Sequence, residues 1–217
     1  PLAPFFHFAA LRSIGASTPC AVLNLGGVGN LTWIDPRKSR PEEVGALLAF
    51  DTGPANAPIN DLMMDWFGKP YDDGGAVARD GTPVLKIVAD YLDHKYFSRM
   101  PPKSLDRLDF APLLEAVDPL SAFDAAATCV EVIAQSVAQS LSFCPEAPEK
   151  LWISGGGRKN PIIMEALSQH LNVAVNDIDT TGLNGDMIEA QAFAYLAMRV
   201  ARGLPTSGPS TTGVAAL

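Results

Sequence analysis

Cysteine is scarce in this chain of 217 residues, which holds only Cys20, Cys129 and Cys144. The three are odd in number, far apart and embedded in apolar sequence, and their spacing is not that of a metal site. Extracellular disulfide frameworks usually use an even number of cysteines at short intervals. We therefore expect buried thiols in a reducing compartment.

Positive charge is also scarce, with 16 Lys and Arg against 24 Asp and Glu and a formal net charge of −8. This balance argues against general binding to nucleic acid or to anionic membranes, both of which require basic surfaces. No apolar run approaches the length of a membrane span, and no signal segment opens the chain. The expected location is the cytoplasm, and the 47% hydrophobic content predicts a substantial core.

An initiator methionine is absent, since the chain begins Pro1-Leu2-Ala3-Pro4. We expect a fragment or a processed product. Residues 1–18 are predicted to be irregular apart from a short helical stretch at 8–11, and the lone His7 is expected to be structural. The small, polar residues 206–217 are expected to be partly loose.

What the chain does have is a regular order of strand-like and helix-like runs. Runs at 20–25 and 28–34 flank Gly26-Gly27 and predict a tight hairpin. A third run, 46–50, stops at Asp51-Thr52-Gly53-Pro54, so the three predict an antiparallel meander. Helices are expected near 58–66, 83–92, 124–141, 162–171 and 186–202, with strands at 151–153 and 173–175.

A meander followed by helices and a β-α-β-α segment is typical of one lobe of an actin-like (ribonuclease H-like) ATPase. A doubly wound dinucleotide fold would alternate from its start, and the glycines at 155–157 lack the spacing of a dinucleotide fingerprint. The predicted fold is therefore an α/β lobe with a mixed sheet flanked by helices.

Three consecutive glycines, Gly155 to Gly157, lie between a predicted strand and a predicted helix. Asn160 suits a helix N-cap and Pro161 suits the first helical position, so this corner is well specified. Without side chains, such a corner lets a flat or anionic ligand approach the backbone. A tight turn without a ligand explains the glycines equally well.

Three glycine-bearing strand ends are expected to meet at one edge of the sheet. The amides of Gly26 and Gly27 are candidates for holding a phosphate chain, and Gly155 to Gly157 for lying against the nucleoside. Asp51 is a candidate for positioning Mg²⁺ through water. The alternative for Asp51 is a turn that caps the next helix.

Segments along nearly the whole chain resemble anhydro-N-acetylmuramic acid kinases, in that family's order. They are Asn24-Leu25-Gly26-Gly27-Val28-Gly29-Asn30-Leu31-Thr32, Phe50-Asp51-Thr52-Gly53-Pro54-Ala55-Asn56-Ala57, Pro101-Pro102-Lys103-Ser104, Ser154-Gly155-Gly156-Gly157-Arg158-Lys159-Asn160-Pro161, Gly185-Asp186-Met187-Ile188-Glu189-Ala190-Gln191-Ala192-Phe193-Ala194, and the tail Gly203-Leu204-Pro205 with Pro209-Ser210-Thr211-Thr212-Gly213.

The resemblance implies a bacterial cytoplasmic sugar kinase that uses ATP, Mg²⁺ and water to convert the anhydro sugar of cell-wall recycling into N-acetylmuramic acid 6-phosphate. It also suggests a homodimer. By motif, Gly26 and Gly27 match the second phosphate-binding hairpin, with Asp51 and Gly53 also on the nucleotide side. The adenosine-side loop is Gly155, Gly156 and Gly157, and the sugar-binding residues are Glu189 and Asn30. An acid favoured by the dipole of the last helix is the alternative for Glu189.

Two departures from the family qualify these expectations. After Lys103-Ser104 the family continues Thr-Gly-Arg where this chain has Leu105-Asp106-Arg107, and we assign that loop no role. The family also carries an earlier lobe with a phosphate loop and, just before the segment matching Pro1, an aspartate general base. We therefore expect residues 1–18 to enter from a missing N-terminal lobe, 19–205 to form the C-terminal kinase lobe, and 206–217 to be a tail. No catalytic residue is expected within the chain, which should have little activity alone.

Two other functions stay open from the sequence. One is a kinase for another anhydro sugar such as levoglucosan, because the sugar pocket draws on the absent lobe. The other is a stand-alone nucleotide-binding or scaffold domain that retains half a site. The coding sequence upstream of Pro1 would separate the second from a kinase.

Overall fold

The structure, a computed structural model, describes residues 2–213. Its centre is one sheet of five strands in the order β3-β2-β1-β4-β5. The strands are β1 (Cys20–Leu25), β2 (Val28–Ile34), β3 (Leu47–Pro54), β4 (Lys150–Ser154) and β5 (Ala174–Asp177).

The first three strands form the expected antiparallel meander, and β4 and β5 add to β1 in parallel. Because β2 alone runs in the opposite direction, β1, β3, β4 and β5 all end at the same edge of the sheet. We call this the carboxyl edge. The turn at Gly26-Gly27, the end of β3 and the glycine corner at 155–157 all lie there, as predicted.

Helices cover both faces of the sheet. They are α1 (Pro4–Ser13), α2 (Asn56–Phe67), α3 (Ala76–Arg79), α4 (Leu85–Leu92), α5 (Lys95–Ser98), α6 (Ala111–Val117), α7 (Ala122–Leu141), α8 (Pro161–His170), α9 (Ile188–Ala201) and α10 (Pro209–Thr212). Short 3-10 helices span Asp73–Gly75, Arg107–Phe110, Gly156–Lys159 and Ile178–Thr181. None of the helices within 2–213 is long and apolar enough to cross a membrane.

Alternating side chains of β1 separate two apolar clusters. Leu23 and Leu25 point into a cluster formed with α2, α4, α6, α7 and α8, whereas Cys20 and Val22 point into a second one formed with α1 and α9. Side chains on a strand point to opposite faces in turn, so both faces are buried. The predicted mixed sheet flanked by helices is confirmed.

The cysteines are all free, as the sequence predicted. Cys20 and Cys129 are buried, and burial raises the pKa of each thiol to about 12. Burial likewise raises the pKa of the partly buried Cys144 to about 12. All three are therefore neutral packing groups at physiological pH.

The prediction that the first 18 residues are largely irregular was wrong. Pro4 to Ser13 form α1, and its Phe5, Phe8 and Leu11 are buried in the second apolar cluster. The apolar side chains recur every three residues and so share one face of a helix, and a proline in the first turn loses no hydrogen bond. This helix is part of the core.

Strand β3 is longer than predicted, because it continues beyond Phe50 to Pro54. Gly53 and Pro54 pair with Gly29 and Val28, and an irregularity in the register lies next to Asn30. At this irregularity a Cβ on Gly29 would overlap Thr52 Oγ1. Asp51 therefore lies within the strand and not at its end.

The predicted loose tail is ordered in its first part. Residues 209–212 form α10, Thr211 is buried, and Gly208 N donates to Thr211 Oγ1. The rest of the predicted tail, from residue 214 on, lies outside the described residues.

Candidate functional site

The hairpin turn at Gly26-Gly27 is fixed to the start of α2. Asn56 N donates to Gly26 O over 2.9 Å, Ala55 N donates to Gly27 O over 3.1 Å, and Asn56 Nδ2 donates to Leu25 O over 2.8 Å. The C=O and N–H of one peptide point in opposite directions, so these bonds turn the Gly27 N–H away from α2.

Neither glycine of this turn is required by the fold itself. Neither has a positive φ, and a Cβ at Gly26 or Gly27 would meet only ordinary contacts at 3.5 Å or more. A side chain there would occupy the open carboxyl edge. The glycines therefore keep that edge clear and leave backbone amides accessible to a ligand.

At the glycine corner formed by Gly155 to Gly157, packing does require glycine. Gly155 has φ 77° and ψ −179°, and a Cβ there would lie 2.8 Å from the carbonyl carbon and oxygen of Leu25 and would overlap Asn24 Oδ1. A Cβ on Gly157 would lie 2.5 Å from the Leu25 Cβ. The corner therefore rests directly on the end of β1.

The same corner also forms the wall of a cavity. Gly156 is exposed and, with Asn56, Tyr71, Asp73 and Lys159, lines a cavity of about 390 Å³. As predicted, Asn160 caps α8 by accepting from Ile162 N and Ile163 N, and Pro161 follows at its first position. The tight turn rests on β1 and places an exposed glycine in a cavity wall, and a ligand in that cavity stays a prediction.

A second cavity, of about 310 Å³, brings together the two residues predicted to bind sugar. Asn30 of β2 and Glu189 in the first turn of α9 both line it, beside Asn24, His7 and Phe193. Asn24 Nδ2 donates to Glu189 Oε1 over 3.5 Å. Polar groups of three elements thus face one cavity with an aromatic wall, an arrangement that suits a polar small molecule with an apolar side.

His7 contributes a neutral wall to this cavity. Its Nδ1 lies 3.0 Å from Thr32 Oγ1, and burial lowers its pKa to about 4. The imidazole is therefore uncharged near neutral pH and acts as a packing and hydrogen-bonding group.

Asp51 is held by its neighbours in β2 and in the loop after α5. Asn30 Nδ2 donates to Asp51 Oδ1 over 2.7 Å, and Leu105 N donates to Asp51 Oδ2 over 2.9 Å. Asp51 does not cap α2, whose N-cap Ala55 has no side-chain hydrogen bond. Instead its carboxylate orients Asn30, which lines the Glu189 cavity.

Gly53, the other residue assigned to the nucleotide side, has a packing role. A Cβ on it would lie 3.0 Å from Ser136 Oγ of α7 and 3.2 Å from the Phe97 ring. It is buried and does not line either of the two cavities described above. Its contact with a nucleotide stays a prediction.

Within residues 2–213 no group of three or more His, Cys, Asp and Glu side chains is arranged to hold a metal. Mg²⁺ keeps several waters and is commonly held by one or two carboxylates with substrate phosphates. Asp51 fits such water-mediated contact, although both of its oxygens already accept a protein hydrogen bond.

The loop around Lys103, which was assigned no role above, supports Asp51. Lys103 O accepts from Asp51 N, and Tyr96 Oη donates to Asp51 O over 2.6 Å. Lys103 Nζ is buried, donates to the carbonyls of Tyr96 and Phe97, and lies 4.4 Å from the centre of the Phe143 ring. The buried ammonium group of Lys103 thus holds the loop against β3.

Replacing Lys103 with methionine is expected to change how stability depends on pH. Burial, with a contribution from Arg99, lowers the pKa of Lys103 to about 8 from its usual 10.5. Between these two pKa values, Lys103 binds more protons in the unfolded chain than in the folded chain. Lys103 therefore makes the free energy of unfolding of the wild type rise with pH over this range. Urea unfolding at pH 7.5 and pH 10 measures this difference. Lys86→Met, at an exposed position of α4, is the matched control, and parallel pH curves for wild type and Lys103→Met would contradict the burial effect.

Sequence reasoning missed the roles of Asn24, Asn56, Lys103 and Arg158. Each lies inside a quoted motif within two residues of a glycine or proline, which was the only available signal. Their contacts join segments far apart in the chain, such as Asn56 with Leu25 and Lys103 with Asp51. Such contacts follow from the sheet order and not from local pattern.

The fold defines the structural class of the protein, and a solved structure supports that assignment. The activator of 2-hydroxyisocaproyl-CoA dehydratase from Clostridium difficile superposes on 93% of this chain and 67% of its own, with a TM-score of 0.56 at 14% identity. Together with the mixed sheet and its two helical layers, this likeness confirms the actin-like ATPase fold.

The chain belongs to the anhydro-N-acetylmuramic acid kinase family, whose model matches residues 1–217. The kinases of that name from Roseobacter denitrificans and Ruegeria sp. are each 57% identical to it over 216 residues. The alignments cover 100% of this chain but 57% and 58% of those proteins. The chain thus spans somewhat more than half the length of these relatives.

Proposed function

We propose that the protein carrying this chain is a kinase that phosphorylates anhydro-N-acetylmuramic acid with ATP and opens its anhydro bridge with water. The observation that carries this proposal is the pair of adjoining cavities at the carboxyl edge. Gly155 packs on Asn24, which lines one, and the next residue, Gly156, lines the other. Two small molecules can therefore bind side by side.

The nucleotide belongs on the side of Gly156. There the turn at Gly26-Gly27 offers backbone amides to phosphates, and Gly155 to Gly157 give the nucleoside a flat surface. Lys159 stands in the same cavity wall as a cation. The structurally similar dehydratase activator was solved with bound ADPNP, which supports an adenine nucleotide on this fold.

The sugar belongs in the cavity of Glu189 and Asn30. A carboxylate and an amide supply hydrogen-bonding groups for hydroxyl and acetamido groups, and Phe193 and Ile188 offer apolar surface to the ring. Asn30 is fixed by Asp51, so its orientation is set before a ligand arrives. The names of the relatives support an anhydro amino sugar as the occupant.

In the proposed reaction, water attacks the anomeric carbon while the bond from that carbon to the bridge oxygen breaks. The bridge oxygen, which becomes the O6 oxygen, attacks the γ-phosphorus, and ADP leaves. A base takes the proton of the water, a contribution of typically 10²- to 10⁴-fold. We propose that this base is an aspartate of an N-terminal lobe, supplied by the part of the relatives that extends beyond this chain.

The residues of this chain then act by positioning. Glu189 and Asn30 hold the sugar. The Gly26-Gly27 turn and the glycine corner hold the nucleotide, so that the reacting oxygen and the γ-phosphorus stay in line. Mg²⁺, when bound, would neutralise phosphate charge, and Asp51 is the residue that would hold it through water. Homodimer formation and a cytoplasmic location stay predictions.

Activity measured on two lengths of protein tests the division between lobes. The 217-residue chain alone is expected to phosphorylate the anhydro sugar at least about 10²-fold more slowly than the protein with the full length of its relatives, because the base is absent. Equal turnover by both would contradict it.

The same assay with levoglucosan identifies the sugar. We expect higher kcat/KM for anhydro-N-acetylmuramic acid, because levoglucosan lacks the acetamido and lactyl groups. A preference for levoglucosan would replace the proposed substrate, and ATP binding without turnover of either sugar would favour a nucleotide-binding domain.

A further inference from the structure

Arg158, just after the glycine corner, is a buried cation among three carboxylates. Only 2% of its side chain is exposed. Its Nη2 donates to Asp179 Oδ2 over 3.1 Å, its Nη1 donates to Asp186 Oδ1 over 2.9 Å, and its Nε lies 3.5 Å from Asp177 Oδ1. Such a planar, multiply bonded guanidinium is fixed in one orientation.

One nitrogen of Arg158 joins the two sides of the proposed site. Besides its bond to Asp186, Nη1 donates to Gly155 O over 2.9 Å. Gly155 precedes the exposed Gly156 of the nucleotide cavity. Asp186 lies two residues before α9, whose first turn carries Glu189 of the sugar cavity.

The loop before α9 packs closely against the Arg158 guanidinium. A Cβ at Gly185 would lie 2.5 Å from Arg158 Nε, and Gly185 N donates to Asp179 Oδ1 over 2.6 Å. Hydrogen bonds from Arg158 and Lys159 lower the pKa of Asp186 to about 2, so this carboxylate stays ionised. The glycine corner and the start of α9 are therefore held as one unit.

Asn24 provides a second, weaker connection between the same two places. Its Oδ1 lies against Gly155, and its Nδ2 donates to Glu189 over 3.5 Å. Displacing the glycine corner thus disturbs Glu189 both through the side chain of Asn24 and through the loop at Asp186.

We propose that Arg158 is a positioning residue that couples nucleotide binding at the glycine corner to sugar binding at Glu189. The inference rests on the proposed function. A nucleotide that fixes Gly155 also fixes Asp186 and the first turn of α9. The sugar then binds to a cavity in which the Glu189 wall is already ordered. Ligands that share the cost of ordering one unit bind with positive cooperativity, and each raises the affinity of the other by the same factor.

The test measures that factor in the full-length protein. Calorimetry gives the affinity for anhydro-N-acetylmuramic acid with and without a non-hydrolysable ATP analogue. In the wild type we expect the analogue to tighten sugar binding by about fivefold or more, the lower end of typical coupling. Arg158→Lys keeps the charge but cannot bond Gly155 and the carboxylates together, so the factor should fall below about twofold.

Two further variants separate coupling from folding. Asp186→Ala alters a half-exposed side chain, should fold, and should also bring the factor below about twofold. Arg199→Lys alters another buried arginine, near the end of α9, which bonds to Glu42 and Pro205 and contacts neither the glycine corner nor Asp186. It should keep the wild-type factor even if it lowers the melting temperature.

The outcomes distinguish this inference from the function on which it rests. A wild-type protein that does not phosphorylate the sugar contradicts both. A wild-type kinase with no coupling, or folded Arg158→Lys and Asp186→Ala proteins that keep the wild-type factor, contradicts the positioning role alone. Loss of coupling in Arg199→Lys as well would also contradict it, because any weakening of α9 would then suffice.

Discussion

Replacing Gly155 with alanine is expected to unfold the protein or to lower its stability more than any other single methyl addition at the carboxyl edge. The conformation of Gly155, φ 77° and ψ −179°, is one that essentially only glycine adopts, and forcing another residue into it costs about 1–3 kcal/mol. The new methyl would also lie 2.8 Å from the Leu25 carbonyl, within the sheet itself. Leu25, at the end of β1, is held by its pairing with Gly29 of β2 and by the hydrogen bond from Asn56 Nδ2 to its carbonyl, so this overlap adds to the strain.

Urea unfolding of the Gly155→Ala protein measures this effect, with nucleotide affinity measured on whatever protein remains folded. Gly203→Ala is the matched control, because Gly203 has φ 64° with no atom within 4 Å of an added Cβ. It should lose only about 1–2 kcal/mol, from the left-handed conformation alone. Equal stability losses in the two variants would show that the glycine corner does not rest on β1 as described.

Replacing Glu189 with alanine is expected to cut kcat/KM for the sugar by roughly 10- to 150-fold. Loss of a hydrogen bond to a charged group is worth about 1.5–3 kcal/mol, and each 1.4 kcal/mol is a factor of ten. Glu189 is exposed in the first turn of α9, and its one hydrogen bond among the described residues is the 3.5 Å contact from Asn24. Alanine favours helix, so the fold should persist with only a small loss from the helix dipole.

Steady-state kinetics with each substrate varied in turn measures the effect on Glu189→Ala. The control is Glu165→Ala, which removes an exposed glutamate of α8 whose partner is Gln169 on the same helix. That variant should match the wild type within about twofold, since surface substitutions are close to neutral. A Glu189→Ala enzyme within twofold of the wild type would leave Glu189 as a helix N-terminal acid with no part in sugar binding.

The sequence was sufficient for the order of the elements, because each of its signals is local. Short runs rich in apolar residues predicted β1, β2 and β4, and the Asn160-Pro161 pair predicted the start of α8. Two local errors have physical causes. Residues 51–54 continue β3 because β2 offers a pairing partner up to Val28, and helix α1 forms because its apolar face meets the sheet.

The site was predictable in composition but not in arrangement. The glycines at 26–27 and 155–157 and the pair Asn30 and Glu189 could be read from motifs, and the structure brings each group to the carboxyl edge. Asp51 was expected to position Mg²⁺ on the nucleotide side, and it lies opposite Asn30 because β3 runs four residues further than its apolar part. The roles of Lys103 and Arg158 depend on burial, which residue type alone does not reveal.

The mass of the product tests the central claim most directly. With ATP, Mg²⁺ and anhydro-N-acetylmuramic acid, the full-length protein should form one ADP for each sugar consumed, and the product should gain one phosphoryl group and one water. That result requires both phosphoryl transfer and opening of the bridge. A product that gains a phosphoryl group without water, or ADP and free phosphate with the sugar unchanged, would contradict the account.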